Sequence, residues 1–551
     1  MSITRRRFLA ASAAGGAVLA TGAGPAFAGK AGSTQAAPRW TRHDVTTPEG
    51  QRMLESYARG IEAMLALPPD DPRNWFRNAF THFFDCPHGN WWFYAWHRGY
   101  VGWFERTIRR LSGDPGFAMP YWDWTRQPEI PASMFKGALT PTDAAFAPYT
   151  RNMKVFTDFI KPALERYWST LSPQQLAQLK TRGYTSLDVA WKDVTGETMI
   201  DGQPAGIAGN MAFAITCGAR YLSPDNRGLD ASTRTAVSAN TVIAGLKPQT
   251  FYDPSISLSF TSSRTATHLM QPVNGVNEFS VLEGQPHNLV HNCIGGVGAI
   301  DWGPYGNMTN FLSPVDPIFF LHHANMDRLW HVWTQKQLAN GLPIVPEGTT
   351  PDGKKLYDLF MDEPFLFYVQ PDGTPVGPTD AKAVFDTSAF DYGYAGGFAS
   401  DYRPRPKLRR PPGPAKASID EDSATVALSA TMVERHLADT QGATLIAEIT
   451  FDRPHGLSTA RSFDVLVNAP DTVTDVEPDS PYYAGTLAFF GPGMAGMDMA
   501  HTTTFTLPLP RTLPAFRQLQ DGTTTLDIRL VPQGGIGEAP KVSAVTIVSV
   551  D

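Results

Sequence analysis

Gly284-Gln285-Pro286-His287-Asn288-Leu289-Val290-His291-Asn292-Cys293, followed by Asp316-Pro317-Ile318-Phe319-Phe320-Leu321-His322-His323-Ala324-Asn325-Met326-Asp327-Arg328-Leu329-Trp330, decides the reading of this chain. His287 and His291 stand four apart, so on a helix they share one face and can grip one metal ion. A third ligand comes from the doublet His322–His323, placed where an apolar, strand-like run, Pro317 to Leu321, gives way to a helix. Only one member of that pair can point inward.

About two hundred residues upstream lies a second histidine group, His82, His88 and His97, within a segment dense in aromatic residues. His88 and His97 are nine apart, half a turn out of phase on a helix. His88 therefore belongs to a loop, His97 to a helix running to Leu111, and His82 to the end of the preceding helix. Neither group contains a His-Glu-x-x-His pattern, which weighs against a zinc hydrolase. Neutral imidazoles with almost no carboxylates among them suit copper or zinc better than non-heme iron. Two such sites facing each other can bind dioxygen between them, so the expected cofactor is two copper ions.

Both groups resemble those of the type-3 copper superfamily, the tyrosinases, polyphenol oxidases, catechol oxidases and hemocyanins, over roughly residues 40 to 400. The resemblance implies His82, His88 and His97 on one copper and His287, His291 and His323 on the other, with His322 beside them and His268 and His331 as ordinary histidines. It implies Glu283 and Asn288 as the pair holding a water that deprotonates monophenols, and Asn292 and Phe311 as residues shaping the substrate entrance. Cys86, two before His88, resembles the cysteine that forms a thioether with a ligand imidazole in fungal tyrosinases and molluscan hemocyanins. The implied activity is ortho-hydroxylation of monophenols and oxidation of o-diphenols to o-quinones with O2. A catechol or o-aminophenol oxidase lacking the first step and an oxygen-binding hemocyanin-like protein are the alternatives.

The 551 residues are 42% hydrophobic and 18% charged with a net charge of −7, a globular chain without the basic stripe that nucleic acid requires. The expected substrate is a small phenol. Residues 1–28 carry Arg5, Arg6, Phe8 and Leu9, a short apolar run and Ala26-Phe27-Ala28, the pattern of a bacterial twin-arginine signal for export to the periplasm or beyond. Its apolar run is too short for a membrane anchor. Three cysteines provide no disulfide framework.

Helical patterns over 51–67, 74–82, 92–111, 173–182, 285–293 and 322–340 predict a mainly α catalytic domain, residues 29–401, with a four-helix bundle core around the metal pair. Residues 29 to about 50 read as an extended arm. The Tyr392-Gly393-Tyr394 triplet resembles the segment closing the catalytic domain in plant and fungal polyphenol oxidases. Residues 402–416, rich in proline and basic side chains, read as an exposed linker. Beyond it, short runs of Val, Ile, Thr and Leu predict an all-β sandwich over 417–551. This sandwich resembles the domain that caps the site in hemocyanins and latent polyphenol oxidases. It is expected to act as a lid inserting Phe490, Met494 or Met497 over the metals. The methionines of that loop also suit Cu(I), and a copper-delivery protein is an expected partner.

Overall fold

The computed structural model describes residues 37–551 except 201–202, 205, 207–209, 218–219, 273, 297–305, 378, 406–411, 420–423, 439–443, 453–460, 474–475, 492–501, 519–522 and 534–538. The signal over 1–28, residues 406–411 of the linker, Met494 and Met497 lie outside the described residues.

The helices that build the site are α1 (Pro48–Ala66), α2 (Trp75–Asp85), α3 (Phe93–Leu111), α4 (Asn288–Gly295) and α5 (Ile318–Ala339). Thr47 caps α1, accepting the Gly50 N–H ahead of a proline in the first turn, and Asn74 caps α2 through the N–H groups of Phe76 and Arg77. Helix α5 begins at Ile318, so the run that reads as a strand, Pro317 to Leu321, is helical. Its residues are buried all round, which erases the periodicity that separates a buried helix from a strand. The aromatic core locks the helices together; Phe104 of α3 stacks on Phe320 of α5 with ring centroids 3.5 Å apart.

Part of the expected arm is a strand. Trp40–Arg42 (β1) pairs in parallel with Tyr392–Tyr394 (β3). This pairing places Arg42 over Asp327 of α5, at 3.1 Å, where Arg98 also binds at 2.6 Å and both tyrosine hydroxyls donate. Burial would raise the Asp327 carboxyl, but Arg98 and Arg42 hold it below its ordinary range. A buried network of this kind loses about 3–5 kcal/mol when one partner is removed.

The C-terminal part is a β-sandwich of two five-stranded sheets. Its strands are β4 (Ala415–Lys416), β5 (Ser418–Ile419), β6 (Ala424–Ser429), β7 (Thr444–Asp452), β8 (Ser462–Val467), β9 (Tyr483–Ala488), β10 (Thr502–Pro508), β11 (Thr523–Pro532) and β12 (Val542–Val550). One sheet runs β9-β8-β11-β6-β5. The other runs β2-β10-β7-β12-β4, and β2 is Asn277–Phe279, a piece of the helical part that pairs in parallel with β10. The sandwich therefore borrows an edge strand from the segment assigned to the catalytic domain. Phe279 stacks on Phe505 inside the sandwich core. Three residues are too few to register as a strand in the sequence, and only long-range pairing makes β2 one. Among the described residues no helix is long and apolar enough to cross a membrane.

Candidate active site

The histidines arrive from four helical elements and one loop. His82 stands in the last turn of α2, which continues to Asp85, and His97 stands in the second turn of α3. His88 lies on the loop between them. His287 closes a π-helical turn, Glu283–His287, that runs into α4, and His291 follows one α-turn later. Pro286 inside that turn has no N–H to give to an α-helical bond, and π turns of this kind gather at functional sites. His322 and His323 sit in the second turn of α5.

All seven side chains converge. The ring centroids of His82 and His88 are 5.4 Å apart, and those of His88 and His97 5.3 Å apart. His287 and His291 are 4.6 Å apart, His291 and His323 5.3 Å. The two groups meet at His88 and His287, 5.5 Å apart, and at His97 and His323, which stack at 4.3 Å. His322 stands 4.9 Å from His291 by ring centroid, and neither of its nitrogens has a hydrogen-bond partner in the protein. It is as close to the second group as the expected ligands are, so both members of the doublet point inward, where the sequence reading had only one doing so.

Hydrogen bonds set the tautomers. Nδ1 of His82 donates to the Phe311 carbonyl at 2.7 Å, that of His97 to the Phe93 carbonyl at 2.8 Å, and that of His291 to the Met308 carbonyl at 2.6 Å. Asn288 Nδ2 donates to the Ala488 carbonyl at 2.9 Å, which turns its Oδ1 toward His287 Nδ1, also at 2.9 Å. With the Nδ1 proton committed, each of these imidazoles offers a bare Nε2 lone pair inward. The Nε2 atoms of His82, His97 and His287 are buried without a protein partner, as is that of His88. His291 Nε2 faces His323 Nε2 at 3.1 Å, an approach that suits two donors sharing a cation. Burial holds these imidazoles below their ordinary range, to about 3 for His82 and His287. Neutral, oriented, nitrogen-only donors fit copper, and the carbonyls behind them supply the outer support that metal-ligating histidines use.

Glu283 does not stand in line with the ligands. The π turn aims it at the His88 loop, where one oxygen accepts the Gly89 N–H at 2.6 Å and the other accepts the Ser262 hydroxyl. Burial pushes its carboxyl up to about 8 against those two bonds. Asn288 is engaged at both ends, by His287 and Ala488, so the expected water-holding pair is not open. Asn292 lies under the sandwich rather than at an open mouth, with its Nδ2 donating to the Phe489 carbonyl at 3.0 Å. The Phe311 ring faces His88 at 5.7 Å and lines a cleft of about 800 Å³ that reaches His88 and Phe490. The Cys86 Sγ lies 3.5 Å from His88 Nδ1.

Phe490 is the sandwich residue inside the site. Its ring lies 4.7 Å from that of His88, 4.6 Å from His291 and 5.5 Å from His287. Sequence reasoning passed over Gln285, whose Nε2 donates to the Thr486 carbonyl at 3.2 Å. Its spacing from Asn288 and Asn292, three and seven residues, is a helix-face signal available from the start. Sequence reasoning also passed over His268, held between Asp85 Oδ1 at 3.0 Å and Glu363 Oε1 at 2.6 Å. No local pattern announces that triad, because its members come from three distant segments.

The family model described as the common central domain of tyrosinase matches residues 61–336, and the chloroplastic polyphenol oxidase C-terminal domain matches 421–549. The chloroplastic polyphenol oxidase of Spinacia oleracea is 24% identical over 371 residues, 63% of this chain and 45% of that protein. Aureusidin synthase of Antirrhinum majus is 25% identical over 332 residues, 57% of this chain and 45% of that protein. The chain thus spans less than half the length of these relatives, which are plant proteins; a bacterial source has no support among them. A recombinantly expressed latent aurone synthase, a polyphenol oxidase, shares the fold with a TM-score of 0.54 at 21% identity, covering 94% of this chain and 90% of its own. A helical core that gathers seven histidines under a β-sandwich of the polyphenol oxidase type thus places the chain in the tyrosinase family, whose members bind a dicopper centre.

Proposed function

We propose that this chain is a latent phenol oxidase that holds one copper ion on His82, His88 and His97 and a second on His287, His291 and His323. The observation that carries the reading is directional: the buried imidazoles of His82, His97 and His287 commit Nδ1 to an oxygen and leave Nε2 without a protein partner, facing a common centre. Copper bound there would supply activation of dioxygen for ortho-hydroxylation of monophenols and oxidation of o-diphenols to o-quinones. The protein's own part is orientation and proton transfer. The gap between the rings of His88 and His291, filled by Phe490, is sized for a phenol ring. Glu283 stands beside the His88 loop with a carboxyl near neutrality, suited to take the phenolic proton.

Latency follows from Phe490. It fills the site while β9 stays docked, and cleavage within the basic linker over 402–416 would loosen it. Phe490→Gly in the intact chain is expected to release catechol oxidation, measured by oxygen uptake. A copper-loaded variant with no turnover would instead favour the oxygen-carrier reading. A Cys86–His88 thioether, formed when dioxygen accepts the S–H and one ring C–H hydrogen as the S–C bond closes, would appear as an intact mass two hydrogens light. The leader is proposed to direct twin-arginine export to the periplasm or beyond, whereas the plant relatives are named chloroplastic. Paired lysines at Arg5 and Arg6 should leave the loaded precursor inside the cell. The thioethers of Met494 and Met497 are proposed to hand Cu(I) to the site, and a copper-delivery protein is proposed as a separate partner.

A further inference from the structure

Strand β9 is an edge strand, hydrogen-bonded on one side to β8. Its other side meets the turn and helix that carry His287 and His291, and the bonds there come from side chains. Gln285 donates to the Thr486 carbonyl at 3.2 Å, Asn288 to Ala488 at 2.9 Å and Asn292 to Phe489 at 3.0 Å. All three amides are buried. They read main chain, and main-chain carbonyls are the same in any extended peptide. Strand alternation sends Leu487 and Phe489 into the sandwich core, whereas Ala488 packs on Leu289 and Ala236 of the helical part and Phe490 enters the histidine cluster. The cap is thus an extended peptide with a small residue two positions before an aromatic one at the reacting centre. That aromatic residue lacks the hydroxyl the reaction needs.

Resting on the dicopper reading above, we propose that the site takes tyrosine within an extended peptide, and that β9 with Phe490 is a tethered, unreactive copy of that substrate. Gln285, Asn288 and Asn292 hold the peptide's carbonyls, and Leu289 with Ala236 selects a small side chain two residues before the tyrosine. In the reaction the phenol ring gains one oxygen and loses two hydrogens, and dioxygen supplies that oxygen while its other atom leaves as water.

The test uses the full-length, copper-loaded chain carrying Phe490→Tyr, with copper content and the oxygen-dependent near-ultraviolet band measured on the same sample. Peptide mass mapping is expected to find position 490 heavier by one oxygen less two hydrogens, and ascorbate is expected to restore those hydrogens. A variant with both coppers and the band but an intact tyrosine overturns the peptide reading alone. A variant and a wild-type chain that both lack copper or the band overturn the dicopper reading, and the peptide reading with it. Adding Gln285→Ala to Phe490→Tyr is expected to slow the modification about fivefold at the same copper content, the effect of one lost hydrogen bond. An unchanged rate removes the amides from the argument. In trans, the wild-type chain loosened with sub-denaturing urea should favour N-acetyl-Thr-Leu-Ala-Phe-Tyr-amide over tyramine by about tenfold in kcat/KM. Equal values contradict the proposal without depending on any variant's folding.

Discussion

Glu283 and His268 are both fully buried, yet their neighbours drive them toward opposite uses. Glu283 faces hydroxyl and backbone donors only, so burial dominates and its carboxyl rises to about 8. In the proposed reaction it accepts the phenolic proton. Glu283→Gln is therefore expected to lower monophenol turnover by about a hundredfold while oxidation of catechol falls far less, a split read by assaying both substrates on one preparation. His268 would be lowered by burial, but the carboxylates of Asp85 and Glu363 outweigh it and raise it to about 9. A histidine raised in the folded state stabilises the fold fully below its ordinary value near 6.5, and that contribution is lost as pH rises through about 9. It amounts to about 3 kcal/mol. The melting temperature should fall across that window, and should be lower and flatter there in His268→Gln; a wild-type curve flat from pH 6 to about 9 would remove the charged His268 from the account. The pairing of His287 with His291 was legible from their helix spacing, whereas the rest of the expected ligand set came from the resemblance to the type-3 copper superfamily. His268 was not, since its charge depends on two acids far away in sequence.

At the scale of elements, the junction of β9 and the plug turns on Gly491. Its φ of +77° is left-handed, and a Cβ there would lie 2.4 Å from the Phe311 ring. Gly491→Ala should push Phe490 off Phe311 and raise basal catechol oxidation of the uncut chain, at a stability cost of about 1–2 kcal/mol. Oxygen uptake by intact protein checks it, and unchanged latency would place the plug's anchor elsewhere. The amphipathic helices α1 to α3 could be read from their apolar spacing. Met153–Thr170 was missed, a helix with Pro162 in its interior, where proline ordinarily argues for a break. The π turn was equally invisible, because it changes the phase of Glu283 without changing its spacing from His287.

For the whole molecule, the two-part architecture was legible because hydrophobic period changes near residue 415, from helical to alternating. The borrowed strand β2 was not, and it makes the cap part of the same body as the site it covers. Removing the sandwich would bare the β2 edge and the amides of Gln285, Asn288 and Asn292 together, so release is expected to proceed by loosening rather than by clean loss of a domain. All of this rests on the two histidine groups each holding copper. The most direct measurement is metal content of the reduced, copper-loaded chain, followed by its near-ultraviolet spectrum as dioxygen is admitted. The account predicts two coppers per chain and a band that appears with oxygen and fades on its removal. A single metal equivalent at every loading, or two coppers with no such band, would contradict it.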